Sequence, residues 1–86
     1  MYRDEWARGA ANAYRRLDDN VKQRVDDALN ELREDPFRAS NVKALSGPLR
    51  GTYRKRIGDL RLLFSLDTVE QVLYVEAIVD RKDAYR

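Results

Sequence analysis

The stretch Tyr53-Arg54-Lys55-Arg56-Ile57-Gly58-Asp59-Leu60-Arg61-Leu62-Leu63-Phe64-Ser65-Leu66 decides the architecture. Its second half alternates: Leu60, Leu62, Phe64 and Leu66 fall on one face of an extended strand, with Arg61, Leu63 and Ser65 on the other. The first half alternates too, setting Tyr53, Lys55 and Ile57 against Arg54 and Arg56. Gly58-Asp59 between them reads as a tight turn, so Thr52–Ile57 and Leu60–Leu66 pair as a hairpin. Asp67-Thr68-Val69-Glu70 makes the next turn, and Gln71–Val79 a third strand, which completes an antiparallel meander. That strand carries Val72, Leu73, Val75, Ala77, Ile78 and Val79, apolar on both sides, and is expected to be central or covered on both faces.

Upstream the period changes from extended to helical. Phe37–Gly51, with two glycines, a proline, Ser40, Asn41 and Ser46, reads mostly as loop. Before it, Val21, Val25, Ala28, Leu29 and Leu32 form one apolar face of a helix that Pro36 stops and that Asp18, Asp19 or Asn20 can cap. A first helix runs from Ala7 to Leu17 on the stripe Ala7, Ala10, Ala11, Tyr14 and Leu17. The short break between the two helices implies a hairpin. Residues 2–6 are a short leading strand. The expected fold is therefore a single α+β domain over residues 1–86: leading strand, helix hairpin, then a three-stranded antiparallel meander forming one sheet packed on the two helices.

Composition narrows the classes. A domain of 86 residues has a thin stability margin, and with no cysteine and no histidine it has neither disulfide staples nor a Cys/His metal cluster. A permanent partner covering apolar surface would help it. No run approaches 18 apolar residues and Met1–Trp6 lacks a signal peptide's apolar stretch, so the expectation is a soluble cytoplasmic protein. The net charge of +2 hides a segregation: Asp18–Asp35 holds seven acids against three bases, whereas Arg50–Arg61 holds five bases against Asp59 alone. Concentrated positive charge attracts phosphate even on a nearly neutral chain. Thirteen of the seventeen basic residues are arginine, whose planar fork suits phosphate oxygens.

If the Leu60/Leu62/Phe64 face packs on the helices, Arg54, Arg56 and Arg61 converge on the open face. Lys55 is the misfit among apolar face-mates, and is expected to snorkel from a strand end. Arg81 and Tyr85, just past the third strand, can reach the same concavity. Arginines would then hold a phosphate and the tyrosine ring would stack on a base. The bland alternative is a solvated arginine face and a tyrosine packed on a neighbouring strand.

Three segments carry a resemblance: Leu45-x-Gly47, the run Tyr53–Phe64, and Val79-Asp80-Arg81-Lys82-Asp83-Ala84-Tyr85-Arg86. Together they resemble the RelE toxins of the RelE/ParE superfamily, over the whole chain. The resemblance implies a toxin of a type II toxin–antitoxin system that cuts messenger RNA in the ribosomal A site. In that reaction the ribose 2′-hydroxyl attacks the adjacent phosphate, and neither metal nor cofactor is used. It implies a RelB-like antitoxin as partner, and mRNA and the ribosome as targets, with no membrane. By position, Arg54, Arg56, Arg61, Arg81 and Tyr85 match the catalytic set, and Arg50, Lys55, Lys82 and Arg86 are further cations for RNA or ribosome contact. Arginine is a poor proton shuttle, so Arg54 and Arg56 suit a clamp on the phosphate and its transition state. Lys55, Glu76 and Asp83 are the nearby candidates for proton transfer. Two departures stand out: Asp80 occupies a position where many relatives carry histidine or another base, and can pair with Arg81, and arginines stand at 54 and 56 where several relatives have lysines. Two other activities stay open, a ParE-like inhibitor of DNA gyrase and a catalytically degenerate relative that still binds antitoxin.

Overall fold

The computed structural model describes residues 1–80. Among them the chain forms β1 (Arg3–Trp6), α1 (Arg8–Arg15), α2 (Asp19–Glu34), β2 (Val42–Ala44), a 3-10 turn (Gly47–Leu49), β3 (Tyr53–Ile57), β4 (Leu60–Asp67) and β5 (Val72–Asp80). The strands make one sheet in the order β1-β5-β4-β3-β2. β1 runs parallel to β5, and every other neighbour pair is antiparallel.

Local chemistry explains the boundaries. Asp18 caps α2 by accepting a hydrogen bond from the Val21 amide at 2.9 Å. At the other end Asp35 is extended, as a residue before proline must be, and its carboxylate takes the Phe37 amide at 3.0 Å. Gly58 has a φ of +58° at the first position of the β3–β4 turn, a conformation that glycine adopts without a Cβ clash. At the β4–β5 turn Asp67 Oδ1 accepts from the amides of Val69 and Glu70.

The helices cover one face of the sheet, α1 over β5 and α2 over β3. The core joins Val25, Ala28, Leu29 and Leu32 of α2 to Leu62, Phe64, Leu73 and Val75 of the sheet, with Phe64 fully buried. Tyr53 stacks on Phe64 at 5.5 Å between ring centres, and Trp6 meets Tyr14 edge-on at 5.4 Å. Asp4 staples β1 to the end of α2, accepting from Arg33 Nη1 at 2.9 Å and from Trp6 Nε1 at 2.6 Å.

Two expectations need correction. The segment read as loop contains β2, so the sheet has five strands and the meander four. β2 is only three residues long, bounded by Asn41 at φ +58° and by the turn at Gly47, too short for an alternation to register in sequence. Its partner specifies it, through Val42↔Lys55, Lys43↔Arg54 and Ala44↔Tyr53. β5 is internal as expected, but it is covered on both faces only at Val72 and Leu73; Tyr74 and Glu76 beyond them are exposed. The central strand is β4.

Candidate nucleic-acid interface

The register turns the sequence alternation into an address for each side chain. One row across the sheet reads Lys43, Arg54, Leu63, Ala77 on β2 to β5, and the next reads Arg56, Arg61, Val79 on β3 to β5. Residues directly opposite in a ladder share a face. The adjacent row Tyr53, Phe64, Val75 is the buried one, so the arginine rows point away from the helices. Arg54, Arg56 and Arg61 therefore do lie together on the open face.

Their environments differ. Arg56 is exposed, while Arg54 and Arg61 are half-buried. Arg56 and Arg61 stand directly opposite each other, an arrangement of like charges that costs stability in a ladder. With Gly58, Asp59 and Leu60 they line a shallow depression at the turn end of the hairpin. Among the described residues the buried Nε of Arg54 has no hydrogen-bond partner. A buried donor left unsatisfied costs about 1–3 kcal/mol, and a role in function is one of the reasons a native fold keeps such a group.

Lys55 does not belong to this face. It is 4% exposed, on the helix side. Its Nζ donates to Glu31 Oε1 at 3.1 Å and to the Ser40 carbonyl at 2.5 Å. Glu31 Oε1 also accepts from the Ser40 amide at 2.5 Å and the Ser40 hydroxyl at 3.0 Å. The Ser40 amide first, and then the Lys55 ammonium, hold the Glu31 carboxyl below its ordinary range. Lys55 thus braces α2, the Asp35–Asn41 connection and β3. The expectations that it snorkels and touches RNA give way to burial and a full set of partners.

Arg50 is exposed in the β2–β3 connection, off the strand rows. Arg81, Lys82, Tyr85 and Arg86 lie outside the described residues. Asp80 pairs with Leu60 and so sits on the helix side, where it borders a cleft lined by Arg16, Arg24 and Asp59. Two open-face residues escaped the sequence reading. Lys43 was hidden because β2 was taken as loop. Tyr74, 39% exposed and opposite Ser65, was hidden by the apolar run around it.

A two-layer α+β domain with a cationic open sheet face is the class these features define. The sequence matches, over residues 5–85, the profile described as ParE toxin of type II toxin-antitoxin system, parDE. The chain belongs to this family, within the RelE/ParE superfamily of toxins. Its fold is similar to that of the RelBE2 toxin–antitoxin complex from Mycobacterium tuberculosis, at 25% identity and a TM-score of 0.80, covering 93% of this chain and 98% of that one. The archaeal RelE–RelB complex from Pyrococcus horikoshii is similar at 24% identity and a TM-score of 0.80, covering 93% and 94%. The intact RelBE complex from E. coli is similar at 21% identity and 0.78, covering 93% and 96%. Among curated proteins none matches. No helix among the described residues is long and apolar enough to cross a membrane.

Proposed function

We propose that this toxin is a ribosome-dependent mRNA endoribonuclease of the RelE kind, acting in the cytoplasm and silenced by a RelB-like antitoxin. The observation that carries the reading is the convergence of Arg54, Arg56 and Arg61, with Lys43 beside them, on the exposed sheet face. An inhibitor that only binds a protein needs no such clamp.

The chemistry follows from the cations. Attack by a ribose 2′-hydroxyl on its neighbouring phosphate needs the two aligned in line and the growing charge on the phosphorane neutralised. Arg54 and Arg56 grip the non-bridging oxygens through the outer nitrogens of their guanidinium groups. Arg61 steadies the phosphate from the adjacent strand. Arg81 would stabilise the leaving oxygen and Tyr85 would stack on the base. Charge neutralisation and alignment of this kind require no metal in principle. The antitoxin reading draws on the solved relatives from Pyrococcus horikoshii and E. coli, in which the toxin is in complex with RelB.

The test is a translation extract given purified protein, followed by primer extension on a reporter message. Codon-positioned cuts that vanish in Arg54→Ala and Arg81→Ala are expected. The matched profile carries the name ParE, which favours gyrase as the second target to assay. Intact messages together with blocked gyrase supercoiling would replace the nuclease reading with that one.

A further inference from the structure

The β4–β5 ladder changes register once. Leu63 pairs with Ala77 and Phe64 with Val75, which leaves Glu76 as an extra residue, a β-bulge. Strict alternation from Glu76 would carry Ile78 and Asp80 onto the arginine face. Instead the bulge turns two consecutive side chains, Glu76 and Ala77, to the open side, and every later residue changes phase. Val79 then stands opposite Arg61, and Asp80 is turned to the helix side opposite Leu60. The Ser65 hydroxyl donates to Glu76 Oε1 at 2.8 Å, which independently fixes the carboxylate on the open face, because Ser65 follows the buried Phe64.

We propose that Glu76 is the proton acceptor of the cleavage reaction, an inference that rests on the nuclease reading above. The arginines cannot take a proton and the chain has no histidine. Among the described residues, Glu5 is engaged by Arg3 at 3.7 Å on the β1 edge, Asp67 by the amides of its own turn, and Asp59 lies at the turn end of the hairpin, beyond the Arg56–Arg61 row and away from Arg54. Glu76 stands beside Ala77, whose row holds Leu63 and Arg54, with β4 between β5 and β3, a separation of about 10 Å at the usual strand spacing. Half-buried Leu63 floors the gap, which suits a nucleotide linkage gripped by Arg54 on one side and met by Glu76 on the other. Ser65 holds one carboxylate oxygen, and the second would take the proton.

In the step, Glu76 takes the proton of the ribose 2′-hydroxyl as O2′ bonds to phosphorus. The bond from phosphorus to O5′ breaks, and the departing oxygen takes a proton from water. The hydroxide so formed collects the proton from Glu76. The products are a 2′,3′-cyclic phosphate and a 5′-hydroxyl, and the carboxylate is restored.

The experiment measures single-turnover cleavage of message on programmed ribosomes by the full chain, alongside ribosome affinity. Glu76→Gln is expected to slow cleavage about 100-fold, the usual worth of a positioned base, with affinity unchanged. Glu76→Asp is expected to recover part of the rate. With sulfur replacing the 5′ bridging oxygen, the leaving group needs no proton, and the deficit of Glu76→Gln is expected to persist. Loss of the deficit on that substrate would make Glu76 an acid and overturn the proposal. Cleavage by Glu76→Gln as fast as the wild type overturns it too, while leaving the nuclease reading standing. A wild type that cuts no message, while its fold and antitoxin binding are intact, overturns both together.

Discussion

The two faces of β3 put neighbouring cations to opposite uses. On the helix side Lys55 is buried and its ammonium is spent on Glu31 and Ser40. One residue to either side, Arg54 and Arg56 face outward beside Arg61, and Arg54 keeps a buried donor without a partner among the described residues. Three consecutive basic residues therefore divide into one buried brace and two outward-facing cations. A basic run in a strand is not one patch; the pleat splits it, and the face decides each charge's role.

That contrast can be broken most forcefully from the buried side. Phe64 is fully buried, stacked on Tyr53 and packed against α2. Phe64→Ala is expected to cost about 3–5 kcal/mol, enough to unfold much of so small a domain. Urea titration followed by circular dichroism reads this out. Retention of wild-type stability would mean that the helix side is not the core.

On the open side the expectation reverses: activity falls and the fold stays. Arg54→Ala is expected to lower the rate of message cleavage roughly 100- to 1,000-fold, the worth of removing one preorganised donor to the reacting phosphate. Its urea midpoint should not fall, since the substitution removes an orphaned buried donor. A variant that loses both activity and stability would place Arg54 with Lys55, as a brace.

Much of this division was legible in the sequence. The alternation over Leu60–Leu66 gave the buried face, and Gly58-Asp59 set the hairpin that carries Arg61 opposite Arg56. The helix boundaries at Asp18 and Asp35-Pro36 followed from caps and proline. What escaped depended on partners distant in the chain. β2 has no pattern of its own and exists because β3 offers it a ladder. The fate of Lys55 hinged on Glu31, 24 residues earlier, and on Ser40. The bulge at Glu76 re-phases β5 without any glycine or proline to announce it, so the side that Asp80 takes is not legible from alternation alone.

The brace itself gives a smaller effect with a pH signature. Lys55→Met keeps the apolar stem and removes the bonds to Ser40 and Glu31; a cost on the order of 1 kcal/mol is expected, because Glu31 is partly exposed and can turn to water. The carboxyl of Glu31 has a folded-state pKa held below its unfolded value, so its contribution is present above the unfolded pKa and is lost as pH falls through the folded one. The stability gap between wild type and Glu31→Gln should therefore be open at neutral pH and close in acid. A gap that stays constant through the carboxylate range would show that the Glu31 charge contributes nothing to the brace.

The smallest effect sharpens the boundary of the open face. Lys43 is exposed on the edge strand directly opposite Arg54, one position outward from the proposed clamp. If RNA crosses this face, Lys43 meets a flanking phosphate and contributes through counterion release. Lys43→Ala should then weaken RNA binding only a few-fold, uniformly across sequences, and reduce the slope of log affinity against log salt by about 0.7, the value for one phosphate on a single strand. The rate of cleavage at saturation should not change, since Lys43 does not touch the reacting linkage. An unchanged slope would confine the RNA path to the rows between β3 and β5, and a fall in the saturated rate would draw Lys43 into the clamp itself.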